Sequence, residues 1–166
     1  MPQLGRYEQL VKDYLGIVKR VYGSRLVSLC VFGSVARGEV REGSDIDLLL
    51  VVEGLDEDLG ARMKELAEVR ERLRRAESYK KLKEQGLPVL TSEIALTPSE
   101  VASHPPILLD VVEEGVIVYD KEGFLRKELE RVRERLHELR ARRVKGKEGW
   151  YWLLKPDAKL GEGVKV

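Results

Sequence analysis

Residues 31–52 read VFGSVARGEVREGSDIDLLLVV, and the reading of this stretch decides the fold. It begins inside an apolar run, Leu26 to Phe32, of the kind a buried strand needs. Gly33 and Ser34 follow, and ten residues after them a second strand-like run, Asp45 to Val52, opens with Asp45 and Asp47. Alternate side chains of a strand share a face, so Asp45 and Asp47 point one way and Ile46 and Leu48 the other. Two carboxylates side by side repel each other unless something positive sits between them. A divalent metal is the usual solution, and hard ions such as Mg²⁺ take oxygen ligands. Ahead of them, Gly33 allows the backbone to approach a ligand closely. Ser34 offers a hydroxyl and a backbone N–H where a short helix begins, the place a phosphate prefers.

The combination of Gly-Ser, ten residues and Asp-x-Asp, with a strand on each side, resembles the signature of the polymerase β-type nucleotidyltransferases. The wider wording GSVARGEV…GSDIDLLLVV is similar to their minimal branch, which consists of small single-domain proteins. The resemblance implies an α/β (α+β) fold with a small mixed central sheet flanked by helices. It implies transfer of a nucleoside monophosphate, AMP from ATP in the simplest case, onto a hydroxyl, with two Mg²⁺ ions about 3.5–4 Å apart. Asp45 and Asp47 would bridge both ions, and Gly33 and Ser34 would cradle the β- and γ-phosphates. Arg37 and Arg41 are near enough in sequence to reach the triphosphate, or are ordinary surface arginines. In this family a third carboxylate from the next central strand joins the aspartate pair.

That strand is expected from about Val89 to Leu96, and Glu93 is its only acidic residue. An acidic residue within a sheet strand calls for a reason. Glu93 is therefore expected as third metal ligand or proton acceptor, the alternative being a glutamate exposed on one sheet face. Glu where relatives carry Asp is a mild departure from the pattern.

Working outward, residues 5–22 carry an apolar stripe, Tyr7, Leu10, Val11, Tyr14, Leu15, Val18 and Val21, at helical spacing. Residues 56–85 read as one long helix with a stripe of Leu59, Met63, Leu66, Val69 and Leu73 and an otherwise charged surface. Thr97 or Ser99 caps the next helix. Pro105-Pro106 opens a further helix, Ile107 to Glu114, stopped by Gly115 before a short strand at Val116 to Tyr119. His104 reads as a loop residue.

Residues 122–144 read as a last helix with Leu125, Leu129, Val132, Leu136 and Leu139 at four-three spacing. Between Lys121 and Lys147 eleven Lys or Arg face five Glu. Three roles compete: an amphipathic helix packed on its own sheet, a helix that docks a partner or a second copy, and a nucleic-acid-binding helix with Arg140, Arg142, Arg143, Lys145 and Lys147 clustered. Trp150, Tyr151 and Trp152 then follow, and such a run packs on the domain or on a partner. The organisation expected is a nucleotidyltransferase domain over 1–145 with a tail at 146–166.

A chain of 166 residues suits one domain with a real core. Its net charge of +1 creates no strong global attraction to nucleic acid. No apolar run is long enough to span a membrane. The single cysteine, Cys30, lies in an apolar run, which fits a core residue in a reducing cytoplasm. Absent Asn, scarce Gln and abundant Glu, Lys and Arg fit a thermophile.

Three functions follow from the resemblance. The first is an antitoxin that adenylylates a tyrosine of a HEPN-domain toxin. The second is an enzyme acting on a small-molecule hydroxyl. The third is a non-catalytic module that binds its partner through the Leu125–Leu139 seam and Trp150–Trp152; a homo-oligomer through 122–152 is the related expectation.

Overall fold

The computed structural model describes residues 2–146, 150–158, 163, 164 and 166. Lys147, one of the clustered cations, lies outside them. A four-stranded sheet organises the chain, built from β1 (Leu26–Phe32), β2 (Ile46–Val52), β3 (Thr91–Leu96) and β4 (Val116–Asp120). The strand order is β3-β2-β1-β4. β1 runs antiparallel to both β2 and β4, while β2 and β3 are parallel. The sheet is therefore mixed, as expected. No helix among the described residues is long and apolar enough to cross a membrane.

Helices cover both faces of this sheet, which is why every residue of β1 is buried. On one face α1 (Glu8–Tyr22), α3 (Leu59–Arg74) and α4 (Glu77–Glu84) pack over Leu29, Val31, Ile46, Leu48 and Leu50. On the other, α5 (Pro98–Ala102), α6 (Ile107–Glu114) and α7 (Phe124–Glu138) pack over Cys30, Phe32, Leu49 and Val51. Thr97 caps α5 in a capping box with Glu100. Gly115 turns α6 into β4 where a Cβ would come within 2.4 Å of the Val111 carbonyl and 2.9 Å of Cys30 Sγ. Only glycine lets these two elements approach so closely.

Three sequence expectations change. The helix expected over 56–85 is two helices, because Ala76 takes an extended conformation between them. The break lets α4 swing onto α1, where the Ser78 hydroxyl donates to Asp13. Of the expected stripe, Leu66, Val69 and Leu73 are buried, but Leu59 and Met63 are exposed. The last helix ends at Glu138 rather than near 144, with Arg140 at φ 55 starting a turn. Its seam residues Leu125, Leu129, Val132 and Leu136 are buried against the chain's own sheet, so the first of the three roles is the one it fills. After it comes a hairpin not anticipated from the sequence, β5 (Arg142–Lys145) paired with β6 (Trp150–Leu153).

Asp120 fastens α7 to the end of β4. Its carboxylate accepts from the backbone N–H of Leu125 and of Arg126, at 2.9 and 3.1 Å, and from the Ser28 hydroxyl at 2.7 Å. Ser28 is fully buried, so losing Asp120 would strand its hydroxyl as well as two helix N–H groups. Asp120→Ala is expected to lower the unfolding free energy by about 1–2 kcal/mol in urea titration, the scale of a lost helix cap. An unchanged midpoint would show that the clamp is idle.

Candidate active site

The antiparallel pairing of β1 with β2 sets Phe32 opposite Asp47. The chain then turns from β1 into α2 (Gly33–Arg37), with Gly33 at φ +69. A Cβ on Gly33 would sit 2.1 Å from Asp47 Oδ2. The glycine is thus fixed by two constraints: a left-handed backbone and a carboxylate packed against its Cα. Ser34 lies in the first turn of α2, which Gly38 ends in a left-handed cap.

Asp47 lies on the sheet face covered by α5, α6 and α7, with Leu49 and Val51. Asp45 precedes β2 and is exposed at its mouth. Burial pushes the Asp47 carboxyl above its ordinary range, and repulsion from Asp45 pushes the same way, while Arg37 and a hydrogen bond from Ser92 oppose it. Neither aspartate has an ion-pair partner among the described residues.

Glu93 is not beside Asp47, although it lines one cavity with Asp45. In the parallel β2–β3 ladder Asp47 faces Ser92, and Glu93 faces Leu48. Paired strand residues share a face, so Glu93 projects to the opposite side of the sheet, toward α1 and α3. There its side chain is fully buried and accepts from Arg70 Nε at 2.8 Å and Nη2 at 2.5 Å, and from the Thr91 hydroxyl at 2.5 Å. It also raises the Tyr14 hydroxyl further above its usual value, on top of the larger effect of burial. The reason for an acidic residue in this strand is therefore a buried ion pair with Arg70. The residue beside Asp47 is Ser92, which a sequence reading passes over because nothing in it states the β2–β3 register.

Arg37 and Arg41 differ. Arg37 pairs with Glu39 at 2.9 Å and with Glu114 at the end of α6. Glu114 in turn accepts from Arg143 of β5 at 3.0 Å. Arg41 is exposed in a turn closed by its backbone N–H to Ser44 Oγ at 2.9 Å. Glu114 had no sequence signal, and Arg143 was marked only as one of a basic cluster; the fold brings the two together. His104 is also not alone, with Nε2 3.2 Å from the buried Glu128.

The donor set suits a hard cation. Asp45 and Asp47 offer only oxygen, and among the described residues no cation pairs with them. Among the described residues no third His, Cys, Asp or Glu joins them to make a metal cluster. An ion held here would take its remaining ligands from substrate phosphates and water, as Mg²⁺ commonly does.

Residues 11–118 match the sequence profile of the family described as nucleotidyltransferase domain. The chain belongs to that family. It is a nucleotidyltransferase. One relative, a Methanocaldococcus jannaschii protein described as a protein adenylyltransferase, is 26% identical over 132 residues, covering 75% of this chain and 79% of that one. Among solved structures, a chain from a toxin–antitoxin structure with AMP-PNP aligns over 78% of this nucleotidyltransferase and 92% of its own length, with TM-score 0.46 and 16% identity. A chain from the complex of a tri-AMPylated Shewanella oneidensis HEPN toxin with an MNT antitoxin aligns over 79% and 92%, with TM-score 0.41 and 17% identity.

The raised Asp47 makes a prediction about stability. A group whose folded-state pKa exceeds its unfolded value contributes stability below the unfolded pKa and loses it as pH rises through the folded one. In EDTA at pH 7, Asp47→Asn is therefore expected to melt at a higher temperature than the wild type. The gap should close as pH falls below the ordinary aspartate range. A lower melting temperature for Asp47→Asn at pH 7 would contradict the reading of Asp47 as a strained carboxylate kept for function.

Proposed function

We propose that this nucleotidyltransferase is Mg²⁺-dependent and moves AMP from ATP onto a protein hydroxyl, as an antitoxin that modifies a tyrosine of a HEPN-type partner. The observation that carries the transferase reading is the Asp47 carboxylate seated against Gly33 with Asp45 beside it. The protein acceptor is supported by the M. jannaschii relative, and the antitoxin role by the resemblance of GSVARGEV…GSDIDLLLVV to the minimal branch.

The reaction is an in-line displacement. The acceptor oxygen bonds to the α-phosphorus, the bond to pyrophosphate breaks, and the acceptor proton leaves to solvent. Little covalent chemistry falls to the protein, which positions the two oxygens and offsets developing charge. Bound Mg²⁺ would supply charge neutralisation on the phosphate oxygens. Asp45 and Asp47 would hold it. Gly33 leaves room beside Asp47 for a phosphate, and Ser34 offers its hydroxyl and N–H to the same group. Arg41, without an ion-pair partner among the described residues, can reach for the phosphate chain. Arg37 is anchored by two glutamates and sets the positive side of the site.

A second reading, transfer to a small-molecule hydroxyl, is favoured by a cavity of about 420 Å³ whose lining includes Asp45, Arg70, Arg74, Tyr79, Ser92 and Glu93. It opens beside Asp45 and is large enough for a compact acceptor. A non-catalytic antitoxin or a homo-oligomer would have to use another surface than the α7 seam, which the chain's own core occupies; Trp150 and Tyr151 on β6 are the large hydrophobics that the described residues of 122–152 leave exposed.

With α-labelled ATP, Mg²⁺ and the candidate partner, label is expected on that protein. Asp45→Asn and Asp47→Asn should each lower the rate at least about a hundredfold, the scale of losing several kcal/mol of charge stabilisation. Glu93→Gln, although less stable, should still transfer, because its side chain is on the other sheet face. Turnover retained in both aspartate variants would end the proposal, and loss in a folded Glu93→Gln would restore a catalytic glutamate.

A further inference from the structure

The β5–β6 hairpin lies outside the family-matched residues 11–118, yet a chain of ion pairs ties it to Arg37 and Glu114, which act on Asp47. Cross-strand partners share a face, so Arg143, Lys145, Trp150 and Trp152 form one side and Arg142, Val144, Tyr151 and Leu153 the other. The first side is the inward one. Trp152 packs on the core beneath α6 and α7, and Arg143 donates to Glu114. Glu114 is the carboxylate that also holds Arg37, and both it and Arg37 act electrostatically on Asp47. Further along the same strand, Lys145 is close enough to add to the pull of Arg37 and Arg41 on Glu39.

At that end of the hairpin Trp150 remains 54% exposed. Arg143 and Lys145 lie 5.2 and 5.9 Å from its ring centroid. A tryptophan present for packing alone would be covered, as its neighbour Trp152 partly is. Trp150 instead offers ring surface to solvent on the hairpin face that carries Arg143 and Lys145. The charges around it are also unbalanced. Glu39 and Glu114 are taken up by Arg37 and Arg143, which leaves Lys145 and Arg41 without ion-pair partners among the described residues.

We propose that this face of the hairpin is the nucleobase wall of the nucleotide site, with Trp150 stacking on the base of the bound triphosphate and Lys145 holding its phosphate chain. The inference rests on the nucleotidyl-transfer reading above. An aromatic ring stacks on any base, because every base has a π-face. An ammonium beside it forms charge-assisted hydrogen bonds to phosphate oxygens. Stacking of this kind tolerates adenine and guanine alike, so the hairpin would supply affinity rather than choice of base.

The test is calorimetric titration of the full chain with Mg²⁺ and α,β-methylene-ATP, which cannot undergo transfer at the α-phosphate. Trp150→Ala and Trp150→Leu are expected to weaken binding about tenfold, and Trp150→Phe to retain most of it. Lys145→Gln should weaken it as well, while Tyr151→Ala on the outward face should leave it unchanged. With Mg²⁺ and tripolyphosphate, which has no base, the Lys145→Gln loss should persist and the Trp150 effects vanish. The chain has two tryptophans, so in the Trp150 variants the emission of Trp152 reports whether the hairpin stays docked. Wild-type nucleotide affinity in Trp150→Leu with Trp152 still docked would overturn the inference. So would a loss confined to binding of a protein acceptor, which would make this face a partner contact. Failure of the wild type to bind any nucleotide would remove the underlying reading too, and is distinguishable from either.

Discussion

The contact between Gly33 and the Asp47 carboxylate is the constraint on which the rest of the site depends. It is produced by strand register: Phe32 pairs with Asp47, so the turn that leaves β1 must pass directly over that carboxylate. Any side chain at 33 would occupy the space of Asp47 Oδ2, and the backbone there is left-handed as well. The sheet holds this arrangement because β1 and β2 are the two inner strands, buried from both sides by helices. A loop carrying the same residues would not keep two like charges together. Here the core supplies the energy that mutual repulsion of Asp45 and Asp47 and the burial of Asp47 take away.

A second structural link runs across the surface. Glu39, Arg37, Glu114 and Arg143 alternate in sign and connect the loop after α2, the end of α6 and the C-terminal hairpin. Each exposed pair is worth little by itself. Glu114 is the buried member, and its two arginines hold it there. The chain of charges ties the hairpin, a segment remote in sequence, to Glu114 and Arg37, the two groups of the chain that act on Asp47.

The strand–turn–helix–strand core was legible in the sequence because its signals are local. Leu26–Phe32 is apolar throughout, Gly33 and Gly38 punctuate α2, and Asp45 and Asp47 mark the start of β2. What failed to read depends on pairing between distant segments. Glu93 has the composition of a third ligand, but the β2–β3 register sends it to Arg70 and puts Ser92 beside Asp47. The long charged helix splits at Ala76, since its stripe gives way to a second contact with α1 that no periodicity within 56–85 reveals. The four-three seam of α7 was ambiguous for the same reason: a narrow apolar stripe does not say whose surface covers it. The hairpin after it escaped notice because Arg142–Lys145 carries no alternation of apolar and polar residues.

The most direct measurement is the rate of AMP transfer by Gly33→Ala, read beside its thermal unfolding. Gly33→Ala should still unfold cooperatively but transfer at no more than about a hundredth of the wild-type rate, because the new methyl group displaces the Asp47 carboxylate. Wild-type transfer by a folded Gly33→Ala would show that the seating of Asp47 against this turn is not what makes the site.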